Sequence, residues 1–126
     1  TRAGRRILTD STASEDQAVA VAVDKEDFRI RTTEDLIDLA TVSPDDPLYP
    51  HAISFLHGFL VGAFHYHEAA AMGPDGRRLV CPPETRPSRN AVIKEFIQWA
   101  KNRPQFRGEI PVETEFRFLM EKWPCK

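Results

Sequence analysis

No stretch of this chain is long and apolar enough to read as a membrane span. The most apolar segment, Ala52 to Ala71, is broken by Ser54, His57, His65, His67 and Glu68, groups that are costly to place in lipid. Neither sign of charge dominates. A formal charge of -2 gives no large field, so neither nucleic acid nor an anionic membrane surface is indicated as a partner. Cysteine is scarce, with 2 in 126 residues and no Cys-x-x-Cys pair, which argues against a structural metal site. A Gly-rich phosphate loop, a Gly-x-Ser-x-Gly elbow and a paired-acid motif are all missing, so the expectation is a protein that is not an enzyme and needs no cofactor. No internal repeat is visible either.

What is present is an ordinary globular composition, 41% hydrophobic and 29% charged, in a length that suits one domain with one core. The 10 prolines fall between apolar segments and read as punctuation between short helices. The chain starts at Thr1, which implies that something before it has been removed, a signal peptide or an artificial start.

Residues 1–27 read as an N-terminal arm. Arg2, Arg5 and Arg6 give way to a polar stretch and then to Ala18-Val19-Ala20-Val21-Ala22-Val23, a short strand or a flexible arm. The lack of a second strand-like segment favours the arm. From Phe28 onward the spacing predicts an all-α domain, a small bundle of about four helices over residues 28–126. Thr32 or Thr33 can cap the first helix, whose first turn carries Glu34 and Asp35 and whose apolar side is Leu36, Ile37, Leu39 and Ala40. Ser43-Pro44-Asp45-Asp46-Pro47 makes a turn.

The second helix is expected from about Leu48 to about Met72. One stripe is Leu48, Ala52, Phe55, Phe59, Gly62, Tyr66 and Ala69; a second is Ile53, Leu56, Leu60 and Phe64. A helix apolar nearly all round belongs in the middle of its domain. Gly58 and Gly62, four apart, are expected to let another backbone approach closely. Gly73-Pro74-Asp75-Gly76 ends this helix. Ser88 caps a third that buries Val92, Ile93, Phe96, Ile97, Trp99 and Ala100 and stops before Pro104. Pro111, Glu113 and Glu115 open a fourth, with Val112, Phe116, Leu119, Met120 and Trp123 inward and Pro124 as its stop.

The histidines do not make a site. His57 and His65 are eight apart, His65 and His67 two apart, and His67 adjoins Glu68, so none has the i, i+4 spacing that shares an ion. They are expected to be packed or interfacial residues of the central helix, with His65 and His67 as candidates for partner contact. Phe106 and Phe118 fall off their neighbours' inner stripes and are the aromatic residues expected to be exposed, hence candidate interface anchors. Cys81 lies beside two prolines without a helix N-terminus or cation to activate it, so a structural disulfide outweighs a nucleophile. If the removed segment is a signal peptide, a pair of cysteines in so small a chain suggests a single bridge, Cys81 to Cys125, worth roughly 4 kcal/mol for a loop of that size. Two free thiols in a cytosolic protein are the alternative.

Several of these segments together resemble the Rap/Tai-type immunity proteins of bacterial type VI secretion systems and their uncharacterised relatives. The residues that carry the likeness are Arg31 to Leu36, Phe55 to Ala63, Cys81-Pro82-Pro83, Ala91 to Trp99 with Pro104, and Phe118 to Cys125. The resemblance implies a small helical protein exported to the periplasm, which binds a cognate effector enzyme of the cell-wall amidase class and blocks its active site. It also implies a tendency to form homodimers. Relatives usually have two further cysteines, at positions that are Ala40 and Leu56 here, as if one disulfide were lost whole. Cys81 and Cys125 match the remaining pair. A competing reading is a periplasmic protein with a structural or stress-related role and no toxin partner.

Overall fold

A computed structural model describes residues 7–8, 20–21 and 23–126. Most of the segment read as an arm therefore lies outside the described residues. Within it, β1 (Ile7–Leu8) pairs antiparallel with β2 (Ala20–Val21), a two-residue ladder too short to show a strand period in sequence. The last residues of that segment are packed. Val23 and Asp27 are buried, and a 3-10 turn, Lys25–Arg29, is closed by a capping box in which the Asp24 side chain accepts from the amides of Glu26 and Asp27. Ile30 ends the turn at φ 43°, a left-handed conformation costly for a β-branched residue and held here by burial of its side chain.

Four α-helices follow among the described residues: α1 (Thr33–Ala40), α2 (Tyr49–Ala71), α3 (Arg89–Lys101) and α4 (Pro111–Lys122). The all-α bundle expected from the periodicity is what forms. Thr32 is the residue that caps α1, accepting from the Asp35 amide while the Asp35 carboxylate accepts from the amides of Thr32 and Arg31. Ser88 caps α3 through the Ala91 amide, and Pro111 opens α4. At the end of α2, Gly76 folds back over the carbonyls of Ala70 and Ala71, where a Cβ would collide.

The position of α2 corrects the sequence reading. Only Ala52, Leu56, Leu60 and His67 of its 23 residues are buried, while Phe55 is 45% exposed and Tyr66 75%. The helix is a wall and not the centre. Gly58 and Gly62 fall on its outer side, and a Cβ at either would meet nothing within 4 Å, so no backbone among the described residues makes the close approach expected there. The centre is α1, in which Thr33 and every residue from Asp35 to Leu39 are buried, and which touches the 3-10 turn, α2, α3 and α4. Leu36, Ile37 and Leu39 do hold it, as expected, and a polar knot adds to them. The amides of Thr33 and Glu34 donate to the carbonyls of Glu109 and Arg107, both at 2.9 Å. The Thr33 and Thr114 hydroxyls lie 2.6 Å apart, and Thr114 donates to Glu109 Oε1 at 2.6 Å.

Cys81 and Cys125 form the disulfide, with Cα atoms 5.0 Å apart. Around it the strap entering α3 pairs with the end of α4: Val80 and Pro124 make an isolated antiparallel bridge, and the Cys81 amide donates to the Trp123 carbonyl at 2.9 Å. Leu56 is buried and Ala40 half-buried against the core, so apolar packing fills both positions where relatives were expected to have cysteine.

Candidate functional site

The buried residues of α4 are Pro111, Thr114, Glu115, Phe116, Phe118 and Leu119; Phe116 and Leu119 face inward as expected, whereas Val112 and Met120 are partly exposed. Polar Thr114 and Glu115 occupy inward positions, which rotates the real face away from the stripe that apolar residues alone suggest. Phe118 consequently points inward. It is 3% exposed and packs between Phe96 and Trp99, with ring centroids 5.5 and 5.6 Å away, so the exposure expected of it is not found. Phe106 is half-buried. It stacks on Trp99 at 5.8 Å, with Arg117 over its own ring at 4.9 Å and Arg103 over Trp99 at 4.2 Å. Arg117 also forks onto Glu109, with contacts at 2.7, 2.8 and 3.1 Å, and these hydrogen bonds hold the Glu109 carboxyl below its ordinary range.

The two candidate histidines part company. His67 is buried, and its Nε2 accepts from the Leu79 amide at 2.9 Å, an arrangement that requires the neutral ring with its proton on Nδ1. Its ring lies against Phe64 and Phe116. Burial, and then the Arg78 charge, push its pKa down, with Glu68 opposing. His67 is thus a strut that fixes the strap leading to Cys81. His65 is exposed, and it stands at the mouth of a cleft. His51 is exposed and His57 half-buried.

That cleft, of about 410 Å³, lies between α2, α3 and α4. Leu60, Val61 and Phe64 line it from α2, Val92 and Ile93 from α3, and Leu119 and Trp123 from the end of α4. At its floor Glu115 is 4% exposed, and its Oε1 has no hydrogen-bond partner among the described residues. Burial pushes its pKa up to about 9, so the carboxyl is neutral at physiological pH. Around the mouth stand His65, Glu68, Arg86 and Arg89. Glu68 is neutralised by Arg78 at 2.9 Å; neither Arg86 nor Arg89 has an ion-pair partner among the described residues, and both are exposed. A mostly apolar concavity with few polar groups, one of them an acid of displaced pKa, is the usual form of a binding site.

Sequence reasoning named His65 but missed Glu115, Arg86 and Arg89. A signal for Glu115 existed: Pro111, Glu115 and Leu119 are spaced i, i+4, i+8, so an acid sits on a stripe whose neighbours are buried. A second polar group, Asp27, Asp35 and Asp38, is also buried, with carboxylate oxygens within 4.8 Å of one another. Asp35 and Asp27 are engaged in capping boxes, which gives them a structural task.

Compared with known proteins, residues 32–125 match a model of the Rap1a immunity proteins. No curated protein and no solved structure matches the chain.

Proposed function

Since the chain belongs to the family of Rap1a immunity proteins, we propose that it binds a secreted bacterial effector enzyme of the cell-wall amidase class and blocks its active site. The observation that carries this reading is the family match across nearly all of the helical body, residues 32–125. An inhibitor of this kind acts by presenting a rigid surface, because ordering that surface on binding costs affinity. The disulfide, the Thr33–Thr114–Glu109 knot and the buried α1 supply the rigidity. No helix among the described residues is long and apolar enough to cross a membrane. The proposed place of action is the periplasm, where the effector would strike and where a disulfide persists.

Phe106, framed by Trp99, Arg103 and Arg117, is our candidate anchor on the partner-facing surface, since aromatic and arginine side chains dominate binding energy at interfaces. A second copy of the chain is the proposed cover for the outer side of α2. Phe55 and Tyr66 are exposed there, and open space over Gly58 and Gly62 admits close approach of another backbone.

The test is to mix the purified chain with the amidase encoded beside its gene and follow peptidoglycan hydrolysis and co-elution. Stoichiometric loss of hydrolysis with a stable complex is expected. Undiminished hydrolysis in the presence of excess chain would overturn the reading.

A further inference from the structure

The cleft between α2, α3 and α4 has two ends of different chemistry. Its floor is apolar around the Glu115 carboxyl. Its mouth has two arginines that no acid neutralises among the described residues, while the one acid there, Glu68, is already paired with Arg78. A bound molecule therefore finds hydrophobic contact at depth and positive charge at the entrance. The volume of about 410 Å³ falls in the range that takes a small organic ligand.

From this polarity we infer that the cleft is a binding site for a small amphipathic anion, an apolar body against Leu60, Phe64, Ile93 and Leu119 with its carboxylate held by Arg86 and Arg89. The orientation follows from the walls. An anionic group sunk to the floor would lose its hydration among apolar side chains with no cation to replace it. At the mouth the same group keeps part of its water and gains two guanidinium donors. A cationic head meets the arginines with the wrong sign. An uncharged head gains only the apolar contacts. Binding at the cleft is tested on the chain alone, with no effector present, so its outcome and that of the immunity reading are read separately.

The test uses the full chain and three probes of equal length below their micellar concentrations: decanoate, decanol and decyltrimethylammonium. Calorimetry and the Trp123 indole signal in NMR report binding. Decanoate is expected to bind one site about tenfold more tightly than decanol, a ratio of about 1.4 kcal/mol, and the cation more weakly than either. The double variant Arg86→Glu/Arg89→Glu should bring decanoate down to the level of decanol or below while leaving decanol unchanged. Ile93→Trp, which fills the cleft, should abolish binding of all three. If that variant fails to fold, Val61→Trp at the rim serves the same purpose. In the complex, the decanoate methyl end should show nuclear Overhauser contacts to Leu119. Equal binding of the three probes, no saturable binding, or binding that survives the filling variants would overturn the inference.

Discussion

Helix α1 has eight residues, of which Glu34, Asp35 and Asp38 are acidic, and it is enclosed by the other helices. Helix α2 has 23 residues, is apolar nearly all round, and leaves Phe55 and Tyr66 in solvent. Hydrophobicity alone ranks them the other way. The difference is one of satisfaction: the Thr33 hydroxyl, the amides of Thr33 and Glu34 and the Asp35 carboxylate of α1 have designated partners, in the Thr32–Asp35 box and in the Glu109 and Arg107 carbonyls, and a satisfied polar group costs little to bury. The apolar groups of α2 exceed what its neighbours cover, because α1, α4 and the strap at Leu79 lie against a single side of it. Surplus apolar surface on a small protein marks places where something else binds.

The largest break in this comparison comes from the two cores. Leu36→Ala in α1 should cost about 2 to 5 kcal/mol, since the side chain is fully buried, whereas Phe55→Ala in α2 should cost well below that figure. Urea denaturation measures both, and equal costs would place α2 back at the centre. Removing the Cys81–Cys125 bridge by reduction should cost about 4 kcal/mol and lower the melting temperature by many degrees. An unchanged melt under reductant would mean that the bridge contributes nothing.

The pH dependence separates α2 from α4. Glu115 has its pKa raised to about 9 by burial, so the native state holds a proton that the unfolded chain releases above its ordinary pKa of 4.5. Its contribution is therefore fully present below about pH 4.5 and is lost as pH rises toward 9, by about 1.4 kcal/mol per pH unit. His67 has its pKa lowered, so it acts in the opposite direction: its contribution is present above its ordinary value of 6.5 and lost as pH falls through the folded value. Stability should decline between pH 7 and 8.5, and Glu115→Gln should flatten that decline. A slope unaltered by the substitution would show that Glu115 is already ionised in the native protein. The smallest effect is on the outer side of α2, where Gly58→Ala and Gly62→Ala should each add roughly 0.5 to 1 kcal/mol, because a Cβ there meets open space within the chain. If a second copy packs on that face, the same substitutions should weaken dimers in sedimentation experiments.

Much of the fold was legible in sequence because helix signals are local. Thr32, Ser88, Pro111 and Gly76 act within a few residues of themselves, and the cysteine pair left one way to form a bridge. Which face of each helix turns inward was less legible. Thr114 and Glu115 sit among buried residues through contacts that span the chain, as Thr33 to Thr114 shows, so the apolar stripe of α4 was read at the wrong angle and Phe118 was placed outside. The cleft was not legible at all, since Leu60, Ile93 and Leu119 come from three helices whose packing no local pattern specifies. His65 was found, for a reason unrelated to the cleft.

Amide hydrogen exchange on the isolated chain tests most directly the claim that α1 holds the structure while α2 is a wall with a face to spare. The amides of Leu36 to Leu39 should exchange only through global unfolding, matching the free energy from denaturation, while those of the outer α2 turns around Gly58 and Gly62 exchange through cheaper local openings. Slower exchange in those α2 turns than in α1 would contradict the account.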